Sequence, residues 1–316
     1  MNSEVPVPGA WDSAYHSPVL VNEVVELFGG AKTILDCTLG GGGHSAALLA
    51  LGANVTAIDR DPDAVAAARD RLAAHEAAGR FRVILGNFAE ADRLLPDTRQ
   101  KFDGILADLG VSSHQIDSES RGFSFREGAP LDMRMEGAGG TSAAELLNTI
   151  DQEGLIATLR NYADEPRARR LAREIVRRRM GSRFETSDDL VNAIRGALGA
   201  RSGPADFARI FQGIRIAVND ELRSLERALP ALRDRLGPGG LLAVIAYHSG
   251  EDRIVKHLMR DWSRDCVCPP RQLQCTCGGR AIGSLVNRKA IKPSADEVER
   301  NPRARSARLR AWRSAA

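Results

Sequence analysis

The chain has 316 residues, 43% hydrophobic and 27% charged, the make-up of an ordinary globular protein with one large domain or two smaller ones. Its net charge of +3 neither demands nor excludes nucleic acid, so local clustering has to decide that question. No apolar run of about 18 residues is present to span a membrane. The first residues lack the basic start and apolar run of a secretory signal. The five cysteines, Cys37 and a tight cluster at Cys266, Cys268, Cys275 and Cys277, make no disulfide framework. We therefore expect a cytoplasmic protein with no membrane partner.

The first third alternates strand and helix. "TILDCTL" predicts a buried strand that ends at four consecutive glycines. "HSAALLALG" predicts a short helix stopped by Gly52, and "NVTAID" a second strand. "DPDAVAAARDRLAAHEAAG" reads as a helix with Pro62 in its first turn and Gly79 past its end. "FRVILG" and "FDGILADLG" follow as third and fourth strands. Apolar strands alternating with helices imply a doubly wound parallel sheet, with the loops that bind ligands along one edge.

After Gly110 the rhythm breaks. "SAAELLN", "DQEGLIATLRNYA", "PRARRLAREIVRRRM" and "TSDDLVNAIRGALG" predict helices, the last capped by Thr186 or Ser187, and no convincing strand appears before about residue 210. "FARIFQGIRIAVNDELRSLERALPALRDRL" reads as a long amphipathic stretch kinked at Pro230. "GPGGLLAVIAYHS" supplies a fifth strand after a glycine turn, and the C-terminal segments "SLVNRKAIKPS" and "ARSARLRAWR" two closing antiparallel strands. The expected organisation is a sheet domain over residues 1–112 and 211–316, interrupted by a helical insert over 113–210.

The glycine-rich stretch "DCTLGGGGHS" lets the backbone turn tightly ahead of a helix whose free N–H groups can meet a ligand. It has no Gly-Lys pair, which excludes a P-loop. A dinucleotide fingerprint fits in part through Gly41, Gly43 and Ala46, with Asp59 about 20 residues on. A third reading is S-adenosyl-L-methionine (SAM), with Asp36 ahead of Gly40 and Gly42. Asp59 is placed to receive ribose hydroxyls under either surviving reading. The fourth-strand loop, "ILADLGVSSHQID", favours the methyl donor, because Asp108 at the strand end can face an acceptor amine and stabilise the positive charge that develops there. By itself His44 reads as a helix N-cap and Phe88 as core.

In order, the chain carries "DCTLGGGGHS", "AIDRDPDA", "DLGVSS-x-Q-x-D", "RGFSF", "PLDMRM", "YADEPRARRLA", "FQGIRIAVNDEL", "HSGEDRIVK" and "NPRARSARLR". Together these resemble the MraW/RsmH-type methyltransferases, which methylate N4 of a cytidine in the decoding region of bacterial small-subunit (16S) rRNA. The likeness runs from about His16 to the C-terminus. It implies an α/β fold, a Rossmann-like class I methyltransferase sheet with an inserted all-helical domain. It implies SAM as cofactor, held by Gly42, Gly43 and His44, with Asp59 on the ribose and Phe88 against the adenine. Asp108 and Gln115 match the Asp and Gln of the fourth-strand loop.

"AYHSGEDR" follows the fifth strand, where Ser249 reads as an N-cap and Asp252 as the acid of its capping box. His248 is a candidate substrate contact or proton acceptor. The resemblance leads to Ser, Phe and Leu where this chain has Ala246, Tyr247 and Gly250. Arg121 to Met135 reads as a loop over the active site, bringing Asp132 and Arg134 near the nucleotide, with Phe123 and Phe125 able to stack on bases.

Nine arginines lie between Arg160 and Arg183, against only Asp164, Glu165 and Glu174. That excess points to rRNA phosphate, with Arg169, Arg170, Arg173 and Arg177 as contacts. A C-terminal run, Arg300, Arg303, Arg305, Arg308, Arg310 and Arg313, adds to it. The expected partner is 16S rRNA within the small ribosomal subunit, its unpaired or flipped base entering between the sheet edge and the insert. The cysteine cluster, C-x-C-x6-C-x-C, suggests a structural zinc outside the catalytic chemistry. The oligomeric state stays open, a dimer included. Two other readings remain at this point: a non-catalytic RNA-binding protein on a methyltransferase scaffold, and an NAD-dependent oxidoreductase, which the arginine-rich insert argues against.

Overall fold

The computed structural model describes residues 11, 17–97, 99–137, 139–266, 268, 272, 274, 276 and 279–316. The chain divides into two compact units, Met1–Gly110 with Leu222–Ala316, and Val111–Glu221.

The first unit opens with α1 (Val21–Leu27), β1 (Thr33–Asp36), α2 (Gly43–Ala50), β2 (Asn54–Asp59) and α3 (Pro62–Ala77). It continues with β3 (Phe81–Leu85), a 3-10 turn at Phe88–Glu90, α4 (Ala91–Leu94) and β4 (Phe102–Asp108). The start of α3 follows from its sequence. The Asp61 side chain accepts the Asp63 N–H, and Pro62 occupies the first turn, where no N–H is needed.

The second unit is helical: α5 (Ser113–Asp117), α6 (Ala143–Thr149), α7 (Gln152–Ala163), α8 (Ala168–Arg179), α9 (Ser187–Leu198) and α10 (Pro204–Val218). Among its described residues there is no strand, only an isolated bridge between Pro130 and Thr186. Thr186 caps α9, with Asp189 closing the capping box. The unit has its own core, in which Leu155, Leu159, Leu171, Ile175, Ile194 and Phe211 are buried.

The chain then returns to the first unit through α11 (Glu221–Arg233), β5 (Leu236–Ala246), α12 (Ser249–Trp262), β6 (Gly283–Leu285), α13 (Ala295–Arg300) and β7 (Arg308–Ser314). The long amphipathic stretch forms two helices, α10 and α11, and its break falls before Pro230. Asp220 turns left-handed at φ 48°, and the Asn219 amide donates to the carbonyl of Arg215, ending α10. Pro230 lies inside α11 without breaking it. The second break between units falls at Glu221, not 210, because α10 sends Phe207, Ile210, Phe211 and Ile214 into the helical core.

The strands form one sheet in the order β3-β2-β1-β4-β5-β7-β6. β1 to β5 are parallel, and β7 runs antiparallel to both β5 and β6. This is a Rossmann-like sheet, closed by the antiparallel pair expected from the C-terminal segments. Successive strand residues enter opposite layers. Ile34, Val55, Leu106 and Ile245 pack with Leu48, Val65 and Leu72 on one face. Leu35, Ile58, Ile105 and Val244 pack with Leu225, Leu229 and Met259 on the other. The expected glycine turn at Gly237–Gly240 is instead an irregular start to β5, where the pairing with β4 slips between Phe102 and Gly104. Among the described residues no helix is long and apolar enough to cross a membrane.

Candidate active site

The order of the sheet reverses between β1 and β4, and that is where an open α/β sheet leaves a crevice at its carboxyl edge. Asp36, Asp59 and Asp108 end β1, β2 and β4 on this edge.

Asp36 braces the glycine loop. Its side chain accepts the Thr38 N–H at 3.2 Å and the Ser45 hydroxyl at 2.7 Å, so one carboxylate ties the strand end to the first turn of α2. It is 1% exposed, and burial raises its carboxyl above the ordinary value. This is a structural duty, and Thr38 and Ser45 are partners that the sequence reading passed over. Both lie within the glycine-rich stretch, where hydroxyl side chains beside a buried acid were the available signal.

Gly40 and Gly42 have φ of 51° and 74°, a left-handed conformation costly to other residues. A Cβ on Gly42 would also stand 3.3 Å from Leu72 and 3.4 Å from Ala68 on α3. The loop is therefore packed on α3 at Gly42 and open at Gly40. Gly40 N–H donates to Asp59 Oδ2 at 2.8 Å, and Asp61 N–H donates to Oδ1 at 2.9 Å. Burial raises the Asp59 carboxyl to about 6, even though these two bonds favour its ionised form. Each oxygen keeps a further acceptor position. Phe88 follows β3, whose Leu85 pairs with Asp59, and it is partly exposed near the same edge.

His44 is not the helix cap; Gly42 holds that position. The His44 ring is 5% exposed, its Nε2 donates to the carbonyl of Val19 at 2.9 Å, and its Nδ1 lies 3.7 Å from Asp108 Oδ2. Asp108 is held on two sides. Its N–H donates to Thr38 Oγ1 at 2.6 Å, and Oδ1 accepts the Tyr247 hydroxyl at 2.9 Å. Burial raises its carboxyl to about 6, against the lowering pull of His44 and Tyr247. Asp108 pairs with Ile245 across β4 and β5, which brings Tyr247, two residues on, beside it.

His248 is the cap of α12, in place of Ser249. Its Nδ1 accepts from Gly250 N at 3.2 Å and Glu251 N at 3.5 Å, and Glu251 supplies the acid of the capping box. The cap uses Nδ1, and the other ring nitrogen, Nε2, lies 3.2 Å from Glu251 Oε1. The shift of one residue releases Asp252, which binds Arg310 and Arg308 instead.

The helical unit places the remaining candidates. Gln115 Oε1 accepts the Ser112 N–H at 3.0 Å and Ser112 Oγ the Gln115 N–H at 3.2 Å, a reciprocal capping box for α5. Arg134 grips Asp132 through two bonds, Nε to Oδ1 at 2.9 Å and Nη2 to Oδ2 at 2.6 Å. Partial burial would raise the Asp132 carboxyl, but Arg134 outweighs it and keeps the group below its ordinary value. The geometry thus makes Asp132 an anionic acceptor locked to an arginine. Phe125 stacks edge-on against Phe207 and Phe211, and Phe123 packs on the helical core beneath Arg121. Arg169, Arg170 and Arg173 are exposed on α8, while Arg177 is paired with Glu174 at 2.7 Å. Of the C-terminal arginines expected to add to the RNA surface, Arg310 is turned inward to Asp252.

Cys266 is exposed and Cys268 half-buried, while Cys275 and Cys277 lie outside the described residues. Among the described residues no group of three or more potential ligands gathers around a metal position, so the zinc expectation gains no support there.

The model of the MraW methylase family matches residues 13–315. The chain belongs to this family. A relative from Gemmatimonas aurantiaca, named ribosomal RNA small subunit methyltransferase H, is 62% identical over 98% of this chain and 98% of its own length. Relatives of the same name from Myxococcus xanthus and Heliobacterium mobile are 47% and 43% identical, covering 93% and 94% of this chain and 96% and 97% of their own. As a member of the MraW methylase family, the chain is a methyltransferase.

Proposed function

We propose that the chain transfers a methyl group from SAM to N4 of a cytidine in the decoding region of small-subunit (16S) rRNA, acting on the small ribosomal subunit. The observation that carries the reading is Asp108, a buried carboxylate at the end of β4 whose backbone and one oxygen are both fixed. The names of relatives up to 62% identical supply the substrate class.

The loop suits a donor without phosphates. Space is open beside Gly40, where a Cβ would meet nothing within 4 Å, and Asp59 offers two oriented oxygens, each with an acceptor position for a ribose hydroxyl. Bound here, SAM supplies a methyl group on an electrophilic sulfonium. Phe88 offers a face to the adenine. Asp108 accepts a hydrogen bond from the acceptor amine, which orients the nitrogen lone pair and stabilises the charge that develops on it as the methyl leaves sulfur, and the methylated nitrogen then sheds that proton to the carboxylate. The rest of the rate comes from holding donor and acceptor about 3–3.5 Å apart. Exposed Arg169, Arg170 and Arg173 provide phosphate contacts that position RNA without reading its sequence.

The test is Asp108→Ala, assayed on small subunits lacking the modification. Retained SAM binding with methylation reduced at least about a hundredfold is expected. Turnover at the unmodified rate overturns the role. Calorimetry separates the non-catalytic alternative, which requires RNA binding without SAM binding. Mass-spectrometric mapping of cytidines in rRNA from a deletion strain identifies the target.

A further inference from the structure

We propose that Tyr247 is a positioning residue for Asp108: its phenolic hydroxyl holds Oδ1 and so sets the direction in which the carboxylate meets the acceptor amine. This rests on the role proposed above for Asp108.

The geometry is specific to the hydroxyl. Thr38 fixes the backbone of Asp108 through its N–H, but a carboxylate on a fixed backbone still rotates about its side-chain bonds. The Tyr247 hydroxyl, 2.9 Å from Oδ1, removes that freedom and leaves Oδ2 as the oxygen for the amine. Tyr247 is itself held. Its N–H donates to Glu251 Oε2 at 2.8 Å, and its ring lies 3.6 Å from where a Cβ on Gly110 would stand, just past the end of β4. Burial and the neighbouring Asp108 carboxylate push the phenol well above its ordinary value, so it remains a donor throughout the working range. The family resemblance leads to Phe at this position, which would fill the same space and hold nothing.

The hydroxyl also has a charge role. The groups facing Asp108 are Asp36 on β1 and Glu251 on α12, which disfavour its ionised form, and His44 on α2 and Tyr247, which favour it. Tyr247 is in turn influenced by Glu251 and by Glu297 on α13. Removing the phenolic donor leaves the burial of Asp108 less compensated, so its carboxyl titrates at higher pH. The ionised acceptor is then lost earlier as the solution is acidified.

The experiment compares the full chain with Tyr247→Phe, which deletes one oxygen and keeps the ring. SAM affinity by calorimetry should stay within about twofold and KM for the subunit should hold, while kcat falls about tenfold. The acid limb of kcat against pH should move up by about one unit, the shift equivalent to one hydrogen bond. A merely structural tyrosine would leave that limb in place. As a second probe that preserves packing, 3-fluorotyrosine placed at position 247 is a stronger donor and should move the limb down. Wild-type kcat and an unmoved limb in both variants, with Asp108→Ala inactive, overturn the role of Tyr247 and leave that of Asp108 standing. An active Asp108→Ala enzyme overturns both.

Discussion

Asp252 on α12 is held from the antiparallel strand β7 by Arg310, whose Nε and Nη2 lie 2.7 Å and 3.2 Å from its two oxygens. Arg308 adds a third contact at 3.3 Å. Each carboxylate oxygen thus meets a guanidinium, and the helix that follows the active-site edge is tied to the strand that closes the sheet. Burial raises the Asp252 carboxyl, but the arginines outweigh it and leave the group below 3.8.

Asp252→Asn should therefore destabilise the fold by about 1–2 kcal/mol at neutral pH, a figure discounted for the partial exposure of the cluster. A depressed folded-state value contributes stability that is fully present above the unfolded value of 3.8 and is lost as pH falls below it. Thermal denaturation should show the gap between wild type and variant closing in that acid range. A gap that persists unchanged to pH 2 contradicts the assignment.

Gly42 and Gly52 separate strain from function. Both are left-handed, at φ 74° and 86°, but a Cβ on Gly52 meets nothing within 4 Å, whereas one on Gly42 crowds α3. Each Ala substitution should cost about 1–2 kcal/mol in backbone strain. Only Gly42→Ala should also weaken SAM binding. Equal affinities in the two variants would remove the loop from the cofactor site.

Asp59 predicts a pH dependence of cofactor binding. Burial raises its carboxyl to about 6, and the ionised form has more acceptor capacity for ribose hydroxyls than the protonated one. SAM affinity measured by calorimetry should be flat above that value and fall as pH drops through it. Asp59→Asn should weaken binding by about tenfold or more at pH 7.5 and flatten the profile.

The arginines of α8 are not equivalent. Arg177 spends its charge on Glu174, whose carboxyl it holds at about 2 with help from Arg178, while Arg169, Arg170 and Arg173 are exposed. Replacing these three by Ala should lower the slope of log affinity against log salt by about two for a single-stranded rRNA fragment. Arg177→Ala should change it less. An unchanged slope in the triple variant removes α8 from the RNA surface.

Much of the sheet was legible because its causes are local. Apolar runs such as "TILD" and "FDGILAD", with Gly52 and Gly79 as stops, predict β1, β4 and the helices between the strands, and the structure has them there. Helices α6 to α9 of the insert were legible through their amphipathic spacing and caps. What was not legible depended on a single turn or on a shift of one residue. Asp220 adopts a left-handed conformation that splits the long amphipathic stretch, and Met133 and Met135 bind Asn219 beside it from far along the chain. His248, not Ser249, caps α12, so the acid of the box is Glu251. Local spacing allowed both registers, and Arg310 on a distant strand claims the acid left over.

By itself the sequence determined the fold class, the family and the set of residues at the sheet edge. Those follow from hydrophobic period, from glycines where the chain must turn, and from ordered motifs. Only the tertiary structure decided what each polar group is bound to. Asp36 became a brace for Thr38 and Ser45, His44 a donor to Val19, and Tyr247 the hydroxyl on Asp108. The physical reason is that a buried polar atom must find a partner wherever the fold brings one, and these partners are set by the pairing of β4 with β5 and the path of the glycine loop.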